Sequence, residues 1–230
     1  MLMQRIKYTL MVLGFLGVSL TGVIAQDAAS DVAKMNHTLM HATGPYEDMV
    51  GPALAKNKKD VAALLATADK EADSVKQALP AEAAKQFDTL LKAIHQAADA
   101  KDNLALAKNS VAVFRLLVDH LKADALKIPL EVSLLDWAGY ELQVLASADK
   151  PDWSAMNKVA ADSETWWKAM STTKVPDKHL RATMTSAIRG IKQAIQEKNL
   201  TMVKFAAQMD LDLVDVVEDT FKTKAPPKPN

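Results

Sequence analysis

From Asp31 to Lys222, apolar side chains recur three and four places apart, the spacing of helices that bury one face, and no stretch shows the alternation of a half-buried strand. Most of the Gly and Pro residues fall where this period breaks, as helix interruptions do. The spacing predicts eight helices, near residues 31–55, 59–78, 81–99, 103–125, 129–147, 152–171, 177–197 and 199–222. A Pro-rich disordered tail follows them.

The pattern is written twice. A shift of 92 sets Asp60-Val61 on Asp152-Trp153, Ala68 on Ala160 and Val75 on Trp167. After a short insertion the shift becomes 97, pairing Phe87 with Met184, Ile94 with Ile191 and Ala97 with Ala194. In the last helix it is 96, pairing Ala107 with Val203, Val111 with Ala207 and Val118 with Val214. Four amphipathic helices per half, joined by short loops, force antiparallel neighbours. The expected fold is all-α, a tandem duplicated pair of up-down-up-down four-helix bundles. Its parts are a signal peptide at 1–25, a first repeat at 26–126, a second at 127–223 and a tail at 224–230.

The fourth helix of each half carries two apolar stripes. In the first half Leu106, Val113 and Leu116 lie off the main stripe; in the second, Met202, Phe205, Met209 and Val216 do. A helix that is apolar on two sides needs cover on two sides. These second stripes are expected to pack the bundles together or to form a dimer contact.

Composition narrows the function. The 230 residues hold 28 basic and 28 acidic side chains and no Cys. Zero net charge offers no field to gather a phosphate backbone, which argues against a nucleic-acid binder. Without Cys there are no thiol nucleophiles, thiolate metal sites or covalent haem attachments. Arg5 and Lys7 precede an apolar run from Tyr8 to Ile24 that ends in small residues before Gln26, the plan of a cleaved secretory signal. Its removal leaves 26 basic against 28 acidic residues, and no membrane span is expected in the mature chain. A secreted chain without disulfides belongs most naturally in a bacterial periplasm.

No phosphate loop, nucleophile elbow or zinc-protease motif is present, so ordinary hydrolytic or transfer chemistry has no foothold and the chain is read as not an enzyme. Histidines are the remaining lead. His37 and His41 stand one helical turn apart, the spacing for a shared metal ion, and His120 ends the fourth helix. In an up-down bundle these three meet at one end, with Met40 and Asp119 beside them, a set suited to copper, zinc or iron. Against this, the helical wheel puts His37 and His41 opposite Leu39, Tyr46 and Val50, on the wet face. Asp210 falls in the core stripe where the first repeat has Phe114, with Arg115 or Arg189 as partners, and Glu131 precedes another core series. Such acids are expected to be paired. Trp153 and Trp167 repeat core positions, while Trp137 and Trp166 do not and are expected either in a loosely packed bulky core or lining a pocket or an interface.

The stretch Phe87-Asp-Thr-Leu-Leu-Lys-Ala-Ile-His-Gln-Ala-Ala, continuing to Val118-Asp-His120, resembles the last two helices of the periplasmic b-type cytochromes with a four-helix fold. That resemblance implies non-covalent haem b held between His120 and one of Met35, Met40 or His41. Val216 stands where the first half has His120, which limits the chain to one haem. The build is also similar to the imelysin-like duplicated bundles, without their Gly-x-His-x-x-Glu signature. The resulting expectation is a non-catalytic periplasmic protein that binds a metal ion, haem or a small ligand. The competing expectation is an interaction module that uses the second stripes and the Trp cluster on a second copy or a periplasmic partner.

Overall fold

The computed structural model describes residues 20–175 and 177–222. Among them are eight α-helices and no strand: α1 Leu20–Leu54, α2 Lys58–Ala78, α3 Ala81–Ala100, α4 Asn103–Asp119, α5 Leu130–Leu145, α6 Trp153–Ser171, α7 Lys178–Gln196 and α8 Leu200–Lys222. In the first half α1 packs on α2, α2 on α3 and α3 on α4, and α4 closes the ring on α1. The second half repeats this ring with α5, α6, α7 and α8. The protein is therefore all-α, with two four-helix bundles in tandem. They meet where α5 packs on α4 and on α1. No helix among the described residues is long and apolar enough to cross a membrane. The expected cleavage point after Ala25 falls inside α1, and the signal segment lies mostly outside the described residues.

The repeat is visible in backbone geometry as well as in side chains. Lys101 after α3 and Lys198 after α7 both adopt the left-handed conformation, with φ of 58° and 51°. Each sits in the same closing motif: Asp102 N–H donates to the Ala97 carbonyl at 2.9 Å, and Asn199 N–H to the Ala194 carbonyl at 2.9 Å. Asp102 and Asn199 then cap the following helices through Ala105 N–H at 3.0 Å and Met202 N–H at 3.1 Å. All the matched apolar side chains given above are buried or partly buried, and the matched Asp60 and Asp152 are both exposed.

One boundary differs from the sequence expectation. The spacing carries the fourth helix to residue 125, but α4 stops at Asp119 and a short 3₁₀ turn follows at Ala123–Ala125. The buried Asn36 amide of α1 explains the stop. It donates to the Lys122 carbonyl at 2.9 Å and accepts from the Lys122 N–H at 2.8 Å, pairing both backbone groups that another helical turn would use. The same clamp sets the middle of α1, around Asn36, beside the end of α4.

The two cores are unlike. In the first bundle one continuous cluster includes Tyr46, Phe87, Phe114 and Leu117. In the second the apolar side chains form two clusters, one holding Met156, Ile191 and Val203, the other Met170, Met184 and Val217. Along α6 the break falls at Ser163 and along α8 at Asp210, both buried.

Candidate ligand cleft between the bundles

Helix α5 belongs to the second bundle but packs on both. Asp136, Tyr140 and Gln143 are spaced four and three apart on it, so they share one face. That face looks across to Glu47 and Asp48 of α1 and to Asp215 of α8 in two adjoining clefts of about 280 Å³ and 250 Å³. Gly139 permits the close approach of α5 and α8: a Cβ there would stand 2.6 Å from the Leu211 side chain. Gln143 and Gln208 close one end with a 2.9 Å hydrogen bond.

Acidic side chains dominate the lining. Glu47, Asp48, Asp136, Asp212, Asp215 and Glu218 contribute to the two clefts, and no Lys, Arg or His does. Lys222 touches the rim by pairing with Glu218 at 3.1 Å. Burial raises the Glu47 carboxyl to about 9, reinforced by the charges of Asp136 and Asp48. Burial also raises Asp136 to about 7, with Asp215, Glu218 and Asp210 adding repulsion, while the hydrogen bond to Glu47 pulls it down. Burial and each other's charge therefore hold this pair of carboxyls above the usual carboxylate range. Burial and then the Asp136 charge raise the Tyr140 hydroxyl, so it stays a neutral donor. The ring of Phe114 stands edge-on to Tyr140 at 6.2 Å and forms part of the cleft wall.

A larger groove of about 650 Å³ lies between α6 and α7. Its central acid, Glu164, is held at about 2 by hydrogen bonds from Lys168 and Lys192. That group is already neutralised by its own neighbours, whereas no basic side chain lines the inter-bundle clefts beside Glu47 and Asp136, so the smaller clefts are the better place for a ligand.

The residues expected from sequence are dispersed. His37 and His41 stack at 6.4 Å on the exposed side of α1, in a shallow groove against α2, where His41 Nδ1 meets Glu71 at 3.1 Å. His120 caps α4, with Nδ1 on the Leu116 carbonyl at 2.8 Å. The three histidines share an end of the bundle but are not brought together as a ligand set. Among the described residues no three His, Asp or Glu side chains are gathered so as to hold a metal ion. Asp119 is engaged by Arg115 at 2.8 Å. Met40 is the one expected residue that reaches the cleft; its Sδ accepts a long contact from Ser133 Oγ at 3.9 Å.

The residues present do not frame a haem: fully buried Tyr46, Phe87 and Phe114 fill the interior of the first bundle, and His120 does not line the cleft of about 280 Å³ that Met40 borders.

Trp137 and Trp166 form an edge-on pair at 6.2 Å, with the Arg115 guanidinium 4.5 Å above Trp137 and 5.4 Å from Trp166. Trp166 packs against all three apolar clusters, so the pair seals the junction of the bundles. Trp167 is core and donates to Thr185 at 2.9 Å. Glu131 is not a core acid; it pairs with Lys174 at 3.3 Å. Asp210 is one, fully buried, with both oxygens lacking a hydrogen-bond partner and the carboxyl raised to about 7 by burial alone. Neither expected partner reaches it: Arg115 serves Asp119 and the Trp pair, and Arg189 lines the α6–α7 groove.

Sequence reasoning missed Glu47, Asp136 and Tyr140. A signal was present, because Asp136 and Tyr140 sit one turn apart in a helix whose other faces are nearly all apolar. What hid it is that Glu47 lies 89 positions away, and only packing sets the two carboxyls together. Comparison of the chain with family models, curated proteins and solved structures finds no match.

Proposed function

We propose that this is a non-catalytic helical-bundle protein, exported by its N-terminal segment, whose inter-bundle cleft binds a small organic cation carrying one or more ammonium groups. One observation carries the reading: two carboxyls of different bundles face each other in a cleft without a basic side chain, and their mutual charge is relieved only by retaining a proton. An ammonium group replaces that proton and gains two charge-assisted hydrogen bonds. Tyr140 and Gln143 supply neutral polar contacts, and Met40 and Phe114 give the ligand's carbon chain an apolar wall. An organic cation suits the cleft better than a bare metal ion, which needs several ligands converging at short range.

Since binding draws on ionised carboxylates, it releases protons wherever Glu47 or Asp136 is protonated beforehand. Titration calorimetry with putrescine tests this. Affinity rises at least tenfold from about pH 6 to about pH 9, and the heat depends on the buffer's own ionisation. Glu47→Gln and Asp136→Asn each weaken binding about tenfold, the loss of one charged hydrogen bond. Absence of heat with putrescine across that range, heat with calcium chloride alone, or undiminished affinity in the double variant would overturn the proposal.

A second reading, a protein-interaction module, rests on a separate observation: the apolar face that α8 leaves open.

A further inference from the structure

The groove of about 650 Å³ between α6 and α7 falls within the roughly 300–1,000 Å³ of pockets that hold small ligands. Trp167 and Ile188 give it an apolar floor, and its walls are polar. Arg189, Lys192, Gln193 and Gln196 follow at helical spacing along one face of α7, while Lys168 lines the groove from α6. The groove's own acids are engaged. Glu164 takes the ammonium group of Lys168 at 2.8 Å and that of Lys192, and Glu197 accepts from Gln193 at 2.8 Å. Thr185 is engaged too, accepting from Trp167 at 2.9 Å and donating to the Arg181 carbonyl at 2.7 Å. Arg189 is left over: its guanidinium has no ion pair or hydrogen bond with any described residue.

The first repeat fills the equivalent face differently. There Lys76 pairs with Asp73 at 2.9 Å and, across the helices, with Asp88 at 3.6 Å, while His95 meets Asp69 at 2.9 Å. The duplicated register puts Thr165, Thr185 and Ala161 at those three acidic positions and gains only Glu164 and Glu197, where the first repeat has Ala72 and Ala100. It also sets the small Ser171 where Leu79 is buried, so a large side chain is missing from the wall. Three cationic side chains therefore face two carboxylates in an open groove.

From this we infer that the α6–α7 groove binds a small organic carboxylate, gripped at its charged end by Arg189 and laid along Trp167 and Ile188 by its apolar body. A guanidinium offers a carboxylate two parallel N–H donors, and the pair cancels the groove's one surplus positive charge. Gln193, one turn on from Arg189, supplies a neutral polar contact. The floor favours an organic anion over an inorganic one, which gains nothing from apolar surface. A cation finds no seat, because two ammonium groups already hold Glu164. The site is separate from the inter-bundle clefts, with which it shares no lining residue.

Titration calorimetry of the purified protein with sodium benzoate tests this, beside benzamide and inorganic phosphate. Benzoate binds one to one. Benzamide, which lacks the charge, and phosphate, which lacks the apolar body, each bind at least about tenfold more weakly. Arg189→Gln weakens benzoate about tenfold, and Arg189→Lys, which keeps the charge without the fork, recovers only part of that loss. Glu164→Gln acts in the opposite direction and strengthens benzoate about threefold, because Lys168 and Lys192 lose the acid they share. Circular dichroism checks that each variant keeps its helices. Absence of heat from benzoate at millimolar concentration overturns the inference. So does equal affinity for benzoate and phosphate, which marks surface charge alone, or an affinity indifferent to Arg189→Gln. Weaker benzoate binding in Glu164→Gln also overturns it. None of these results depends on whether the inter-bundle cleft binds a cation.

Discussion

The first and second bundles share a helix order, a left-handed lysine and a capped turn before the last helix, yet their interiors differ at one level. Where α4 places Phe114 in a continuous apolar cluster, α8 places Asp210, and the second core divides there into two. Small loops and caps preserve the backbone of a repeat even while the side chain at a central position changes character. The consequence is energetic. A buried phenyl ring adds packing and removes apolar surface from water, whereas an unpaired carboxyl must either stay protonated or accept the cost of an uncompensated charge.

Truncating the two equivalent positions breaks the comparison most directly. Phe114→Ala removes a fully buried ring and costs about 3–5 kcal/mol in urea unfolding. Asp210→Ala under the same conditions, above neutral pH, leaves stability unchanged or raises it, because the desolvated carboxyl goes with the void it leaves. Equal losses at both sites would mean that the halves are energetically alike and that Asp210 has a partner.

The pH dependence sharpens the same contrast. Burial raises Asp210 from 3.8 to about 7 in the folded chain. A group raised on folding gives stability that is whole below its unfolded value and is lost as pH climbs through its folded value. Its contribution falls by about 3 kcal/mol between about pH 5 and about pH 9. Asp210→Asn flattens that part of the stability profile and leaves the slope due to Glu47 and Asp136, which has the same sign. Chemical denaturation of both proteins across this range measures the difference, and parallel profiles would show that Asp210 ionises freely in the folded state.

The smallest contrast is between the second stripes. Leu106→Ala empties part of the α4–α5 contact and costs about 2–3 kcal/mol. Met202→Ala, at the equivalent place on α8, changes the monomer by less than about 0.5 kcal/mol, since nothing covers it. Thermal melts of the two variants give both values.

Much of the fold was legible because the information is local. The eight helices follow from the apolar period, and their limits from Asn57, Asp102, Asp152 and Asn199, whose side chains cap the helices they precede. The error at the end of α4 is instructive: residues 120–125 carry no strong breaker, and the helix stops because Asn36, 86 positions earlier, takes both backbone groups of Lys122. The candidate site was less legible. Histidine spacing drew attention to His37 and His41, but two imidazoles one turn apart on a wet face are common, and their true neighbour is Glu71. Met40 does line the inter-bundle cleft, but the acids around it come from three helices that only packing brings together. The sequence did mark Asp210 as a core acid, though not that it would lack a partner.

The amino-acid order by itself determined the helices, the doubling and which stripe of each helix turns inward, because all three depend on side-chain spacing within a few turns. Tertiary structure alone decided that α5 covers the second stripe of α4 while that of α8 stays open, and that Glu47 and Asp136 line one cleft. Both outcomes depend on how helices cross and at what height their faces meet. That geometry is set by the packing of several elements at once, and no single stretch of chain encodes it.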